Sequence, residues 1–126
     1  MKLEDQVVSL ELSQKLKELG VKQEGLFHWA RNIKNEFKLF YLFNFQPQKE
    51  EYIAFTVAEL GVMLPEMCPT YRITGTADWS CVLEGGHHDK FQRAYTEANA
   101  RATMLIYLIE QKIVDPLMIK ESKGNE

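Results

Sequence analysis

Residues 96–113, TEANARATMLIYLIEQKI, form the stretch of this chain that decides its fold. Thr96 is a good helix N-cap residue, and Glu97 places a negative charge at the positive end of the helix dipole. Apolar residues then recur at steps of three or four, namely Ala98, Ala102, Leu105, Ile109 and Ile113. This spacing predicts a helix whose apolar face lies closely over a sheet, with Leu105 and Ile109 in the main core.

A first helix is predicted near the N-terminus. Ser9 is a good N-cap residue, and Gly20 suits the left-handed position that follows a helix. With Gly20 at that position, Leu16 and Val21 occupy the two sites that make contact in a Schellman motif. We therefore expect a helix between Ser9 and Gly20 with a defined end.

A short middle helix is predicted by the most distinct local signal in the chain. Thr56 and Glu59 have the spacing of a capping box, and Phe55 with Leu60 occupies the positions of a hydrophobic staple. The helix should run from residue 57 to about residue 64, because Pro65 prevents its continuation.

Strands are predicted between these helices. Residues 26–31 and 37–45 are rich in aromatic and aliphatic side chains that favour pleated surfaces. Apolar residues on both faces of the second segment predict that its central part is covered on both sides. Residues 71–84 favour one strand, bent or bulged at Gly75, and residues 91–95 a last short strand. The apolar face of the 71–84 strand consists of Ala77, Trp79, Cys81 and Leu83.

This order of elements indicates an α+β fold. We expect one antiparallel sheet of about four to five strands, with the N-terminal, short middle and long C-terminal helices packed mainly on one face. A chain of 126 residues has room for one core. The predicted domain spans residues 1–119, and the polar residues 120–126 are expected to fray.

Composition narrows the class of protein. The formal net charge of -3 and the pI near 5.7 weigh against a nucleic-acid binder that works through a broad basic patch. No apolar run approaches the roughly 20 residues that cross a bilayer, and the first residues lack the apolar region of a signal peptide. We therefore expect a soluble intracellular protein, without a membrane partner, in which Cys68 and Cys81 are reduced thiols.

The loop that follows Gly85 and Gly86 contains the candidate metal ligands His87, His88 and Asp89. Imidazoles ligate metals and shuttle protons, and Cys68 and Cys81 would complete a set of zinc ligands. The spacing argues against that set, because neither cysteine belongs to a Cys-x-x-Cys pair and Cys81 is expected to face the core. A catalytic pair of Cys81 with either histidine meets the same objection. We predict no cofactor and retain metal binding by this loop as an alternative.

Aromatic side chains offer two weak binding candidates. Tyr41 and Phe43 lie on one predicted strand and would stack nucleic-acid bases if that sheet face were open. His28 and Trp29 would form a partner-binding edge, although the alternation of Phe27 with Trp29 also suits burial. A nucleic-acid role further requires that basic side chains share one face; the candidates are Lys22, Arg31, Lys34, Lys38, Arg72 and Arg93.

Three segments together resemble an uncharacterised family of small bacterial proteins found largely in prophages and other mobile elements. They are VSLELSQKLKELGVKQEGLFHW at 8–29, AFTVAELGVMLP at 54–65 and TEANARATMLIYLIE at 96–110. The resemblance implies a phage- or element-derived protein of the bacterial cytoplasm and supplies no catalytic or binding residue. Since no catalytic constellation survives the test of spacing, we expect a non-enzymatic accessory or adaptor protein that binds an unidentified protein partner.

Overall fold

The computed structural model describes residues 2–41, 49–65, 68–83 and 90–119, with Lys90 described by its backbone alone. The chain is an α+β fold of three α-helices and six strands in this described part. In chain order, after a 3₁₀ turn at Leu3–Asp5, the elements are α1 (Leu10–Glu18), β1 (Phe27–Arg31), β2 (Phe37–Tyr41), β3 (Tyr52–Ile53), α2 (Val57–Met63), β4 (Thr70–Arg72), β5 (Trp79–Leu83), β6 (Lys90–Ala94) and α3 (Glu97–Glu110), followed by a 3₁₀ turn at Pro116–Met118.

The strands form two antiparallel sheets of three strands each, and the prediction of one sheet is therefore wrong. The first sheet has the order β2-β1-β3 and the second the order β4-β5-β6. The division follows from β3, which pairs with β1 over only two residues before the chain turns into α2. The next three strands then pair among themselves, in the ranges that the structure describes.

The first sheet buries the opposite side of β1 from the one predicted. His28 and Ala30 are buried, whereas Phe27 and Trp29 are partly exposed. On β2, Phe40 and Tyr41 are exposed, so the prediction that this strand is covered on both sides fails where the structure describes it. Residues 42–48, which include the rest of the predicted strand, lie outside the described residues.

The second sheet contains a hairpin where the sequence predicts one bent strand. Gly75 has a φ of +82°, a left-handed conformation that glycine adopts without steric cost. The turn is closed by the backbone amide of Ile73, which donates to the carbonyl of Asp78 at 2.9 Å. Glycine thus reverses the chain here and separates β4 from β5. The predicted last strand, at residues 91–95, is confirmed within one residue as β6.

Helix α3 is the centre of the core. It packs on all three strands of the second sheet and also contacts α1 and α2. Burial therefore extends over more of its surface than the predicted stripe; the buried residues are Ala98, Ala100, Ala102, Met104, Leu105, Ile106, Leu108 and Ile109. The positions of Leu105 and Ile109 are confirmed. Ile113 is 55% exposed, because the helix ends at Glu110 and Lys112 turns the chain with a φ of +61°.

The predicted helix caps are confirmed. The Ser9 hydroxyl accepts from the amide of Leu12, and Gly20 has a φ of +94°. The amide of Val21 donates to the Leu16 carbonyl at 3.1 Å, which completes the Schellman motif together with the bond from Gly20 to Lys17. In α2 both bonds of the predicted Thr56–Glu59 capping box are present. Phe55 and Leu60, the predicted staple pair, are both buried.

No helix in the described ranges is long and apolar enough to cross a membrane. The predicted polar tail, residues 120–126, lies outside these ranges.

Candidate functional site

The described surface contains an open cleft of about 970 Å³. The first turns of α2 and α3, the N-terminal 3₁₀ turn and the start of β5 line it. Its lining is mainly apolar, with Leu3, Phe27, Val57, Ala58 and Trp79 among the contributors. This volume is at the upper end of the roughly 300–1,000 Å³ that binding pockets typically have.

The cleft exists because α3 leaves one end of the second sheet uncovered. Arg72, Trp79 and Ala94 are paired across the last register position of β4, β5 and β6, and we call them the terminal rung. Side chains paired across a sheet share one face, and this is the face on which α3 packs. The next residue of β5 on that face, Cys81, is fully buried, whereas Trp79 is half-buried and Arg72 is exposed.

Arg101 holds the wall beside the terminal rung. Its Nη2 donates to Glu97 Oε2 at 2.9 Å and to Thr70 Oγ1 at 3.0 Å, and its Nη1 donates to the carbonyl of Val57 at 3.1 Å. Thr70 in turn donates to Glu97 Oε2 at 2.8 Å. These bonds join α3, β4 and the first turn of α2, so they fix the positions of three elements that surround the cleft.

Gly61 on α2 makes room for this guanidinium. A Cβ atom at Gly61 would meet Arg101 Nη1 far inside van der Waals contact. The glycine is destabilising in a helix by roughly 0.5–1 kcal/mol relative to alanine. Its presence is explained by the close approach of α3's arginine to α2.

Glu59 fixes the wall that α2 contributes. Its carboxylate is buried and accepts the amide of Thr56 at 2.8 Å through Oε1 and the amide of Leu26 at 3.2 Å through Oε2. The capping residue thus also ties α2 to the loop that enters β1. Ala58 lies two residues after the N-cap residue Thr56, and its exposed side chain lines the cleft.

The N-terminal wall is held by backbone and indole hydrogen bonds. Val8 donates its amide to the carbonyl of Phe55 at 2.9 Å, and its own carbonyl accepts from Trp29 Nε1 at 2.9 Å. Val7 also forms a bridge with Thr56. These contacts place Leu3 and Asp5 at the edge of the cleft.

The charges of the cleft balance. Arg72 and Arg101 contribute two positive charges and Asp5 and Glu97 two negative ones. Arg101 and Glu97 neutralise each other in their ion pair. Arg72 has no ion pair with any carboxylate in the described part of the chain, whereas each of the other three arginines has one within 4.0 Å.

The predicted aromatic candidates lie elsewhere. His28 is 5% exposed, and its Nε2 lies 4.0 Å from Glu51 Oε1. Burial lowers the pKa of His28, and Glu51 opposes that shift. Trp29 bonds to the Val8 carbonyl, and exposed Tyr41 packs edge-to-face on Phe27 with ring centroids 5.6 Å apart. None of these three lines the cleft, and Phe43 lies outside the described residues.

The predicted metal ligands His87, His88 and Asp89 also lie outside the described residues. Within the ranges that the structure describes, no group of three or more histidine, cysteine or acidic residues is arranged to hold a metal. Both cysteines are free, as expected, and both are buried, although burial was predicted for Cys81 alone. Burial raises the pKa of Cys81 to about 12 and also raises that of Cys68, so neither is an activated thiol.

Sequence reasoning missed the residues that form this cleft. Glu97 and Arg101 are four residues apart on a predicted helix, and that spacing was a usable signal for their ion pair. No local signal identifies Arg72, Ala58 or Tyr95 as neighbours, because they come from three elements brought together by tertiary packing.

Comparison with protein-family models, curated proteins and solved structures finds no match for this chain. The resemblance to small phage-associated bacterial proteins stays a prediction.

Proposed function

We propose that this protein is an adaptor that binds an extended segment of a partner protein in the cleft beside the terminal rung. The observation that carries the proposal is an open apolar cleft whose walls are fixed by partly buried hydrogen bonds while its rim remains exposed. Tyr95 at the rim is 82% exposed. Exposed aromatic and apolar surface around fixed walls is typical of protein interaction sites.

The charge balance favours a protein segment over a nucleic acid. Nucleic-acid binding relies on several cations directed at phosphates, whereas the lining residues here have no net charge. The basic candidates also diverge, since Arg72 and Arg93 lie on opposite faces of the second sheet. Three of the six basic residues that the sequence offered for nucleic-acid binding lie within 4.0 Å of a carboxylate oxygen, namely Lys22, Arg31 and Arg93.

The position of the titratable groups favours binding over catalysis. Among the described residues, the groups whose pKa is shifted by burial are His28, Cys68 and Cys81, and none of the three lines the cleft. Strongly shifted groups tend to gather where an enzyme performs acid–base or nucleophilic chemistry. The cleft offers apolar area and ion-paired side chains, which suit recognition.

The test is selection of random twelve-residue peptides displayed against the purified protein. Ala58→Trp should block the cleft without disturbing the core, because Ala58 is exposed on α2 and lines the cleft. Gln111→Trp, at an exposed position after α3, adds the same side chain outside the cleft. We expect enriched peptides to bind the wild type and Gln111→Trp alike and to bind Ala58→Trp at least tenfold more weakly.

Two outcomes would refute the proposal. One is a selection that enriches no peptide. The other is a set of enriched peptides whose affinity is unchanged by Ala58→Trp.

A second pair of variants separates the rim from the rest of the surface. Tyr95→Ala should weaken binding, whereas Phe91→Ala, at an exposed aromatic residue on the opposite face of the sheet, should not.

The two alternative functions, nucleic-acid binding and metal binding, can each be tested directly. A gel shift with single-stranded DNA at low salt would reveal phosphate-driven binding, which is strongest there. Calorimetric titration with zinc should show stoichiometric binding that disappears in the variant with both His87→Ala and His88→Ala if that loop holds metal. These predictions concern surfaces other than the cleft.

A further inference from the structure

We infer that the partner segment carries a carboxylate that binds Arg72, next to a large apolar side chain that packs on Trp79. The inference rests on the proposed function, because it names the chemistry of the segment that the cleft takes.

Arg72 differs from the other arginines because it forms no ion pair within 4.0 Å among the described residues. Arg31, Arg93 and Arg101 lie 3.6, 2.7 and 2.9 Å from a carboxylate oxygen of Glu50, Asp78 and Glu97 respectively. No such pair is formed by Arg72 within the described ranges. Its guanidinium is exposed at the cleft, where a planar fork of donors binds a carboxylate through two parallel hydrogen bonds.

The register of the second sheet places this cation beside the apolar floor. Arg72 is the direct cross-strand partner of Trp79, and side chains so paired have Cβ atoms roughly 4.5–5.5 Å apart. Both residues also line the cleft, so a carboxylate bound by Arg72 would share the cleft with the indole. Low-dielectric surface beside a charge pair strengthens it relative to a pair in open water.

The rest of the cleft limits the acidic character of the partner. Thr70, two residues before Arg72 on the same face of β4, is already bonded to Arg101 and Glu97. Asp5 on the N-terminal turn adds a negative charge to the lining. A run of acids or phosphates would be repelled by Asp5 and would find, among the described residues that line the cleft, one guanidinium without an ion pair. The cleft thus suits a single carboxylate in an otherwise apolar segment.

The experiment uses the tightest peptide from the selection described above and a copy in which its acidic residue is replaced by the matching amide. Both peptides are measured against the wild type and Arg72→Met by fluorescence anisotropy. We expect the amide peptide and Arg72→Met each to weaken binding about tenfold. Combined, they should weaken binding no more than either change alone, because both remove the same contact. The coupling should also shrink between about 50 and 500 mM salt.

Lys38→Met is the matched control, since it removes an exposed cation from β2 that does not line the cleft. It should leave both affinities unchanged. Thermal melts of Arg72→Met should match the wild type, because the Arg72 side chain is exposed.

The outcomes separate the inference from the proposed function. Two results would overturn the inference and leave the adaptor function standing. In one, the peptides require an open cleft but contain no acidic residue; in the other, they bind Arg72→Met as tightly as the wild type. A selection that enriches no cleft-dependent peptide overturns both. Binding of a single-stranded 20-nucleotide DNA that is lost in Arg72→Met would assign the cation to phosphate and also overturn the inference.

Discussion

At the scale of single residues, the contact between Arg101 and Gly61 makes a prediction that runs against helix propensity. Gly61→Ala should give less than the usual gain of roughly 0.5–1 kcal/mol, because the new methyl group displaces the guanidinium from the Val57 carbonyl. In the Arg101→Ala background the same change should give the full gain. Urea denaturation of the four proteins measures this coupling, and equal effects of Gly61→Ala in both backgrounds would contradict it.

Arg101→Lys provides a second prediction at this scale. A lysine ammonium is compact and cannot reach Thr70, Glu97 and the Val57 carbonyl together as the guanidinium does. We expect a loss of about 1–3 kcal/mol in the free energy of unfolding. Arg93→Lys is the control, because Arg93 is half-exposed and pairs only with Asp78 among the residues described, so its loss should stay below about 1 kcal/mol. Equal losses for the two variants would argue against a linking role for Arg101.

At the scale of elements, α3 should contribute more stability than any cap. Leu105 is fully buried, so Leu105→Ala should cost about 2–5 kcal/mol in lost packing. Thr56→Ala removes one capping bond and little packing, and it should cost about 1 kcal/mol. Denaturant melts that gave equal or reversed losses would mean that α3 is not the main core element.

The elements also show which parts of the fold the sequence predicts and which it does not. The helix caps at Ser9, Thr56 and Thr96 were predictable because each depends on residues three or four apart. The division into two sheets was not predictable from the sequence, because it depends on how many residues of β3 pair with β1. Gly75 predicted a bend or bulge within one strand, whereas the chain reverses there and forms a hairpin of β4 and β5.

The candidate site was beyond sequence reasoning for a related reason. Histidines and aromatic residues attract attention because of their chemistry, yet His28 is a core residue in this fold. The cleft instead arises from where α3 stops covering the second sheet. Burial depends on the docking of α3 against β4, β5 and β6, which no local pattern specifies.

For the whole molecule, the burial of His28 predicts a loss of stability in acid. Its pKa in the folded protein lies below the unfolded value of 6.5, mainly through burial. As the pH falls through 6.5 the unfolded state therefore binds a proton before the folded state does, and the free energy of unfolding decreases. Urea melts at about pH 7 and about pH 5.5 should show a smaller decrease for His28→Gln than for the wild type. An identical decrease would show that His28 does not contribute.

The buried thiols give a second prediction for the whole molecule. With a pKa of about 12 and no exposed surface, Cys81 should react with a thiol reagent only when the fold opens. Labelling should therefore be slow in the wild type and faster in Leu105→Ala, by the factor by which the population of the open form rises. Cys81→Ser is the control, because labelling that remains in this variant does not come from Cys81. Rapid labelling of Cys81 in the native protein would contradict the prediction.

The N-terminal wall of the cleft has a practical consequence for the search for a partner. Leu3 and Asp5 line the same cleft as Arg72, Trp79 and Tyr95, so a polypeptide joined ahead of them begins next to this cleft. An affinity tag fused there, above all a histidine tag facing Asp5, would compete with the proposed partner segment and produce false negatives. Bait proteins should therefore be immobilised through the other end of the chain, or the leading tag cleaved before screening.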